Sequence, residues 1–342
     1  MSKEEKYMSR ALDLAQKGFG FVSPNPMVGC VIVKDDKIIG EGYHENYGGL
    51  HAEPNAVAKV NNKEDIKLAD VYVTLEPCAH YGKTPPCADL LASLKPKRVI
   101  IAVIDDNPLV GGKGVKILEE AGIEVIIGVL EKEARLINKR FFTFMQKQRP
   151  YIILKWAQTA DGFVARKNFD SKWITGIESR TYVHQMRAEE DSIMVGFNTA
   201  KYDNPSLTTR LVQGKNPLRI FIDKRLELES NSNLLDQSTP TICYNYKKSE
   251  NHLNLLFVKL DETKDFMEQV FNDLFNRKVS SIIVEGGSTL LTSLIQANLW
   301  DEACVFTSKN TFEDGIKAPE ISTNSTEIKL MEKDKLELFI NI

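Results

Sequence analysis

His51–Val60 reads HAEPNAVAKV, and Glu76–Cys87 reads EPCAHYGKTPPC. The first stretch opens a helix, with Pro54 in the first turn, where a missing N–H costs nothing. In the second, each cysteine follows a proline (Pro77–Cys78 and Pro86–Cys87), and Cys87 begins the helical run CADLLASL. A helix N-terminus favours thiolate over thiol. One imidazole and two thiolates suit a tetrahedral Zn²⁺ and leave its fourth position for water. Glu53, in the same helical turn as His51, would lie beside the metal without ligating it and could shuttle protons as a general acid and base. A closed structural zinc site, with His80 as fourth ligand, is the other metal reading. Ordinary core cysteines beside a satisfied histidine are the bland one.

The surrounding pattern is α/β. The helix of Glu4–Lys17 has apolar positions at Met8, Leu12 and Ala15. Strands are predicted at GCVIVK, KIIGEG, DVYVTL, KRVIIAVI and IEVIIGV, and helices at CADLLASL and GVKILEEAG. Strands alternating with helices of about ten residues predict a sandwich with a largely parallel sheet. This first domain is expected over residues 1–146. A junction falls in the polar QKQRP, and a second α/β domain is expected over 147–342. YIILKWA, DSIMVG, PLRIFID, TICYN and SSIIVEGG read as its strands. Glu178–Ala188, KDFMEQVFNDLF and STLLTSLIQANL read as its helices. Glu227–Asn254 is polar and reads as loops and edge strands.

Composition bounds the function. The 342 residues carry 44 basic and 47 acidic side chains, for a net charge of -3. With no basic stripe, nucleic acid is a poor partner, which disfavours a tRNA-type deaminase. No apolar run approaches the roughly 18–20 residues that a membrane helix needs. The amphipathic N-terminus does not read as a signal peptide. Five cysteines, an odd number, suggest reduced thiols and a cytoplasmic protein. GGKG at 111–114 lacks the spacing of a dinucleotide-binding fingerprint. Gly286–Gly287, between a buried strand and a helix that Ser288 would cap, is the best phosphate-cradling turn.

The zinc set matches the order H-x-E … P-C-x-x-C of zinc deaminases, except that eight residues separate Cys78 from Cys87. That insertion is itself part of a more specific pattern. SPNPMVGCVIV, HAEPNAV, EPCAHYGKTPPCADLL and DDNPLVGGKG resemble the deaminase half of the RibD family of bifunctional riboflavin-biosynthesis deaminase/reductases. LKWAQTADGFVA, DSKWITG, HQMRAEEDSIMVGFNTAKYDNPSLTTR and VEGGSTL resemble its reductase half. The resemblance implies a cytidine-deaminase-like α/β/α domain followed by a dihydrofolate-reductase-like α/β domain.

The implied activities are zinc-dependent removal of an amino group from a diaminopyrimidinone bearing a phosphoribosylamino arm, then NADPH-dependent reduction of the ribosyl group to ribityl. Glu53 is the implied catalytic residue, and His51, Cys78 and Cys87 the metal ligands. Asn25, His44, His80, Lys83, Asp105 and Asn107 are implied substrate contacts in the first domain. Lys155, Ser171, Arg187, Asp203, Arg210 and Glu285 are those in the second, with Arg187 and Arg210 as phosphate clamps. Trp173, Thr175, Gly196, Thr199, Gly286 and Gly287 fall on the cofactor side. A homo-oligomer, joined through the second domain, is also implied. Trp156, Thr159 and Asp106 depart from the family's usual residues.

Overall fold

Ser2 starts the first helix, α1 (Lys3–Gln16). Its hydroxyl accepts the Glu5 backbone N–H, and the Glu5 carboxylate accepts that of Ser2, a reciprocal cap. Met8, Ala11, Leu12 and Ala15 then fall on one buried face. The computed structural model describes residues 1–81, 85–106, 111–172 and 174–341, and the chain divides into two units, Met1–Gln148 and Arg149–Ile342.

After α1 the first unit runs β1 (Gly29–Lys34), β2 (Lys37–Tyr43), α2 (Ala52–Lys59), β3 (Asp70–Val73), α3 (Cys87–Leu94) and β4 (Arg98–Ile101). It continues with α4 (Lys113–Glu120), β5 (Glu124–Ile127), α5 (Glu131–Ile137) and α6 (Lys139–Lys147). The sheet order is β2-β1-β3-β4-β5, with β1 antiparallel to both neighbours and β3, β4 and β5 parallel. Alternating side chains feed two cores. Cys30, Ile32, Val71 and Val99 face α2, α3 and α4; Val31, Val33, Tyr72 and Ile100 face α1, α5 and α6. This is an α/β/α sandwich. Gly42 sets how closely α2 approaches: a Cβ there would lie 2.3 Å from the Ala56 nitrogen. That close seat fixes the start of α2, and with it His51 and Glu53.

The second unit runs β6 (Tyr151–Gln158), β7 (Phe163–Ala165), α7 (Ile177–Glu189), β8 (Ser192–Val195), α8 (Phe197–Asp203), β9 (Leu218–Ile222), β10 (Thr241–Asn245), β11 (Glu250–Asn251) and β12 (Leu255–Lys259). Then come α9 (Phe266–Asn276), β13 (Ser281–Glu285), α10 (Ser288–Gln296), β14 (Glu302–Thr307), β15 (Ile316–Lys317), β16 (Glu327–Met331) and β17 (Asp334–Ile340). The main sheet is β11-β12-β10-β9-β8-β13-β6-β14-β17-β16. It is parallel from β12 to β14 and antiparallel at both margins.

Ile152, Leu154, Ile282 and Val284 point into one core, and Ile153, Ile193 and Ile283 into the other. Sequence patterning did not assign the strands after α10. Yet β14 pairs with β6 in the middle of the sheet, joining the C-terminal hairpin to the core. Gly287, not Ser288, occupies the cap position of α10, and no side chain caps it. Ser288 is the helix's first residue, so the backbone N–H groups there are left to a ligand or to water.

Candidate functional sites

In the first unit, two helix starts and one strand end converge. His51 is the cap residue of α2, Cys78 follows the carboxyl end of β3, and Cys87 is the first residue of α3. Their ligand atoms all lie within 4.8 Å of one another. His51 Nδ1 is 3.6 Å from Cys78 Sγ and 3.4 Å from Cys87 Sγ. Tetrahedral zinc, with bonds of about 2.3 Å to sulfur and about 2.0 Å to nitrogen, holds such atoms roughly 3.5 Å apart. The three donors therefore fit zinc and supply three of its four positions. His80 is exposed and is not among these donors, so a closed site with His80 as fourth ligand has no support.

The backbone N–H of Cys87 donates to Cys78 Sγ at 3.3 Å. Hydrogen bonding from Cys87 holds the Cys78 thiol well below its usual range, and the same pairing pushes Cys87 up. Glu53 is buried in the first turn of α2, and burial, followed by the neighbouring Cys78 sulfur, pushes its carboxyl up to about 7.

His44 is buried rather than superficial. Its Nδ1 lies 2.9 Å from the Leu50 carbonyl, its Nε2 lies 3.2 Å from Asn25 Nδ2, and its ring meets His51 edge-on at 5.4 Å. Asn25, His44, His51, Glu53, Cys78 and Cys87 thus share one neighbourhood. Lys83 and Asn107 lie outside the described residues.

Asp105 is tied to the segment that leads into Cys78 by Glu76, a residue that sequence reading passed over. The Glu76 carboxylate, 4% exposed, accepts four backbone N–H groups, from Asp105, Gly112, Gly114 and Val115, at 2.9–3.3 Å. Gly114 can approach because it has no Cβ; one would lie 2.0 Å from the Pro77 carbonyl oxygen. An acidic residue directly after the buried run VYVTL, with the glycine-rich GGKG available to meet it, was the signal.

In the second unit, a cavity of about 350 Å³ opens where β6 and β13 end. Lys155, Ser171, Thr175, Arg187, Thr199, Asp203, Arg210, Glu285, Gly286 and Gly287 all line it. Trp173 lies outside the described residues. Gly196 lines a second cavity, of about 620 Å³, that shares Asn198, Thr199, Gly287 and Thr289 with the first. Lys224 and Arg225, two exposed cations that no sequence motif marks, line the second cavity at the end of β9. Adjoining cavities, an uncapped helix start at a Gly-Gly turn and nearby cations fit a phosphate-bearing dinucleotide such as NADPH.

The charges of the first cavity are partly spent internally. Arg187 Nη2 and Nε donate to the Glu285 carboxylate at 2.9–3.1 Å, and its Nη1 donates to the Thr208 carbonyl. Lys155 Nζ is 3.8 Å from the same carboxylate. Burial alone would raise Glu285, but the charges of Arg187 and Lys155 outweigh it and hold the carboxyl at about 2. Arg187 is therefore a partner of Glu285 rather than a free phosphate clamp. Ser171 Oγ donates to Asp203 Oδ1 at 3.0 Å, while burial raises Asp203.

Comparison with known proteins separates the chain along the same lines. Residues 1–103 match the cytidine and deoxycytidylate deaminase zinc-binding region, and residues 150–308 match the RibD C-terminal domain. The riboflavin biosynthesis protein RibD of Aquifex aeolicus is 42% identical over 98% of this chain and 95% of its own. A solved deaminase/reductase of Thermotoga maritima superposes with a TM-score of 0.90 at 35% identity, covering 99% of both chains. Acinetobacter baumannii RibD gives 0.88 at 32% identity, with 98% of both covered.

Proposed function

The chain belongs to the RibD family of bifunctional riboflavin-pathway enzymes, and from that premise we propose which residues carry its two reactions. The enzyme is a deaminase fused to a reductase that acts on a small-molecule substrate, with Zn²⁺ and NADPH as cofactors. In our reading residues 1–146 deaminate a diaminopyrimidinone bearing a phosphoribosylamino arm, and residues 147–342 reduce the ribosyl group to ribityl. The convergence of His51 Nδ1 and the sulfurs of Cys78 and Cys87 carries this reading.

His51, Cys78 and Cys87 would hold zinc, which when bound supplies a Lewis acid that acidifies water near neutral pH. Glu53 takes a proton from the attacking water and returns it to the departing nitrogen, so that oxygen replaces ammonia on the ring carbon. Asn25 and His44 orient the ring, and His80, Lys83, Asp105 and Asn107 complete the pocket. Glu76 positions Asp105, whose backbone N–H it accepts together with those of Gly112, Gly114 and Val115.

In the second unit NADPH supplies the hydride for the ribosyl C1′. Lys155, Ser171, Asp203, Arg210 and Glu285 bind the substrate there, and Arg187 keeps Glu285 ionised and aimed. Trp173, Thr175, Gly196, Thr199, Gly286 and Gly287 hold the cofactor, with Lys224 and Arg225 as cations for its phosphates. Purified enzyme should release ammonia and oxidise NADPH on the aminopyrimidine; failure of both defeats the reading.

We also propose a homo-oligomer joined through the second unit. Its edge strand β16 leaves Ile328 and Leu330 exposed on one face, which favours strand-edge association. Light scattering on the purified protein tests this, and a monomer at micromolar concentration refutes it. Among the described residues no disulfide joins any of the five cysteines, and zinc-binding thiols must stay reduced, which supports a cytoplasmic setting. Among the described residues no helix is long and apolar enough to cross a membrane.

A further inference from the structure

One buried histidine of the second unit has no part in the account above. His184, on α7, is 7% exposed and lines the smaller cavity. Its Nδ1 accepts the backbone N–H of Arg210 at 2.9 Å. A neutral ring that accepts at Nδ1 carries its proton on Nε2. Among the described residues that Nε2–H has no hydrogen-bond partner, so its free donor belongs to whatever enters the cavity.

The cations around it narrow what that is. Arg187 and Lys155 share the Glu285 carboxylate. Arg210 lines the same cavity, but its guanidinium donates only to Thr208 Oγ1, at 2.8 Å, and no carboxylate lies within ion-pair distance among the described residues. A cation at the exposed rim of a cavity, with no counter-charge among the described residues and a neutral N–H donor on the same wall, is an anion site; guanidinium groups match phosphate oxygens in particular. The bond from the Arg210 backbone to His184 ties the two donors to one frame. Burial, then the positive charges of Arg187 and Arg210, hold the imidazole down to about 4; Lys155 acts in the same sense and Glu285 opposes it. The ring therefore stays neutral across the working range and serves as a donor of fixed tautomer, with the charge supplied by Arg210.

We propose that His184 is a substrate-binding residue of the reductase, its Nε2–H and the Arg210 guanidinium together holding the substrate's phosphate monoester. The inference rests on reading the second unit as the reductase, and it assigns the phosphate to the substrate, not to the cofactor.

His184→Asn separates the two faces of the ring, because the amide oxygen can still accept the Arg210 N–H while the Nε2 donor is lost. Titrations of full-length protein with ribose 5-phosphate and with 2′,5′-ADP, a probe for the cofactor's phosphates, distinguish the two sources. The variant should weaken ribose 5-phosphate about tenfold and leave 2′,5′-ADP unchanged. In turnover it should raise KM for the phosphorylated substrate by a similar factor with little change in kcat, whereas a merely structural defect would lower kcat as well.

Nitrogen-15 spectra of the wild-type ring at pH 7 give a readout independent of any variant: a neutral Nε2–H tautomer whose signal moves on adding ribose 5-phosphate. Unchanged ribose 5-phosphate affinity, a loss confined to 2′,5′-ADP, or an Nδ1–H or doubly protonated ring overturns the assignment. If the wild-type chain oxidises NADPH on its substrate while one of those results appears, only the His184 inference fails. If the wild type oxidises no NADPH, the reductase reading fails and the inference falls with it.

Discussion

The two units build their sites in opposite ways. In the first, His51 and Cys87 meet although only 36 residues separate them, and both stand at helix starts whose position the local sequence sets. In the second, Arg187 reaches a carboxylate 98 residues away, and Lys155 reaches the same group from the neighbouring strand. The first site is a small set of soft donors with one buried acid. The second is a charge network whose members neutralise one another before any ligand arrives. A short-range site can be written as a motif, whereas a long-range network exists only once the sheet order is fixed.

If the sites are chemically independent, the largest effect should come from one atom exchange. Glu53→Gln keeps the shape of the side chain and removes its proton shuttle, so ammonia release should fall by roughly 10²–10⁴-fold. NADPH oxidation on the already deaminated substrate should stay within about twofold of wild type. A parallel loss of both activities would break the comparison. Chelation makes the same cut at the level of the ion. Stripping the metal should abolish ammonia release, lower the thermal transition of the first unit and cost it about 2.7 kcal/mol of stability if free zinc stood at 100 times Kd. A calorimetric scan in which the second transition moves instead would assign the metal to the wrong unit.

The same contrast explains what could be read from the chain. His51, Glu53, Cys78 and Cys87 were legible because helix starts at Pro54 and Cys87 carry local chemical marks, and the elements of the first unit follow their predicted order. Residues of the 350 Å³ cavity in the second unit were found through stretches resembling a known family, but their partnerships were not. Nothing in HQMRAEE or NPSLTTR tells that Arg187 is bound to Glu285 while Arg210 has no carboxylate partner among the described residues, since burial and pairing arise from β6, α7 and β13 coming together. Arg219 shows the limit again. It lies mid-strand in PLRIFID with its side chain 0% exposed, bonded to Thr241, Asp236 and three backbone carbonyls. Likewise, the mostly exposed, irregular stretch between β15 and β16 gave no sign that β14, β17 and β16 extend the sheet beyond β6.

Glu285→Gln probes the network where it is most interdependent. Removing the carboxylate's charge leaves Arg187, side chain 10% exposed, and Lys155 without compensation. The loss should be on the order of 3 kcal/mol in the urea unfolding of the second unit, with reduction impaired and ammonia release intact. Acid should reproduce it. The carboxyl titrates near 2 in the fold and near 4.5 when exposed, so its contribution is complete above about 4.5 and is lost as the pH falls through 2. A wild-type stability of the second unit that rises on acidification from 4.5 to 2 would contradict the network.

Glu76→Gln is the matching test in the first unit. Two of these N–H groups, those that share one carboxylate oxygen, would face an amide nitrogen instead, and the remaining bonds would lose their ionic assistance. About 2 kcal/mol should be lost, together with some ammonia release, because Pro77 and Cys78 follow directly in the chain. Unchanged urea stability would show that the cradle adapts, and that the first site depends less on its supports than the second does.

The smallest effect concerns the rim of the reductase cavity, where the loop after β7 is held by side chains rather than by sheet pairing. Phe169 stacks on Tyr202 of α8 with centroids 4.3 Å apart and rings 4° from parallel, and both line the cavity. Phe169 also has φ 68°, a left-handed conformation that costs a bulky residue but not glycine. Phe169→Ala loses the stack and keeps the strained backbone, so it should cost about 1 kcal/mol and raise KM in the reductase reaction two- to threefold. Phe169→Gly loses the same stack but adopts the conformation freely, so it should be the more stable of the two variants. If glycine proves no better than alanine, the loop leaves this conformation once the ring is gone, and the stack itself is what holds the rim in place.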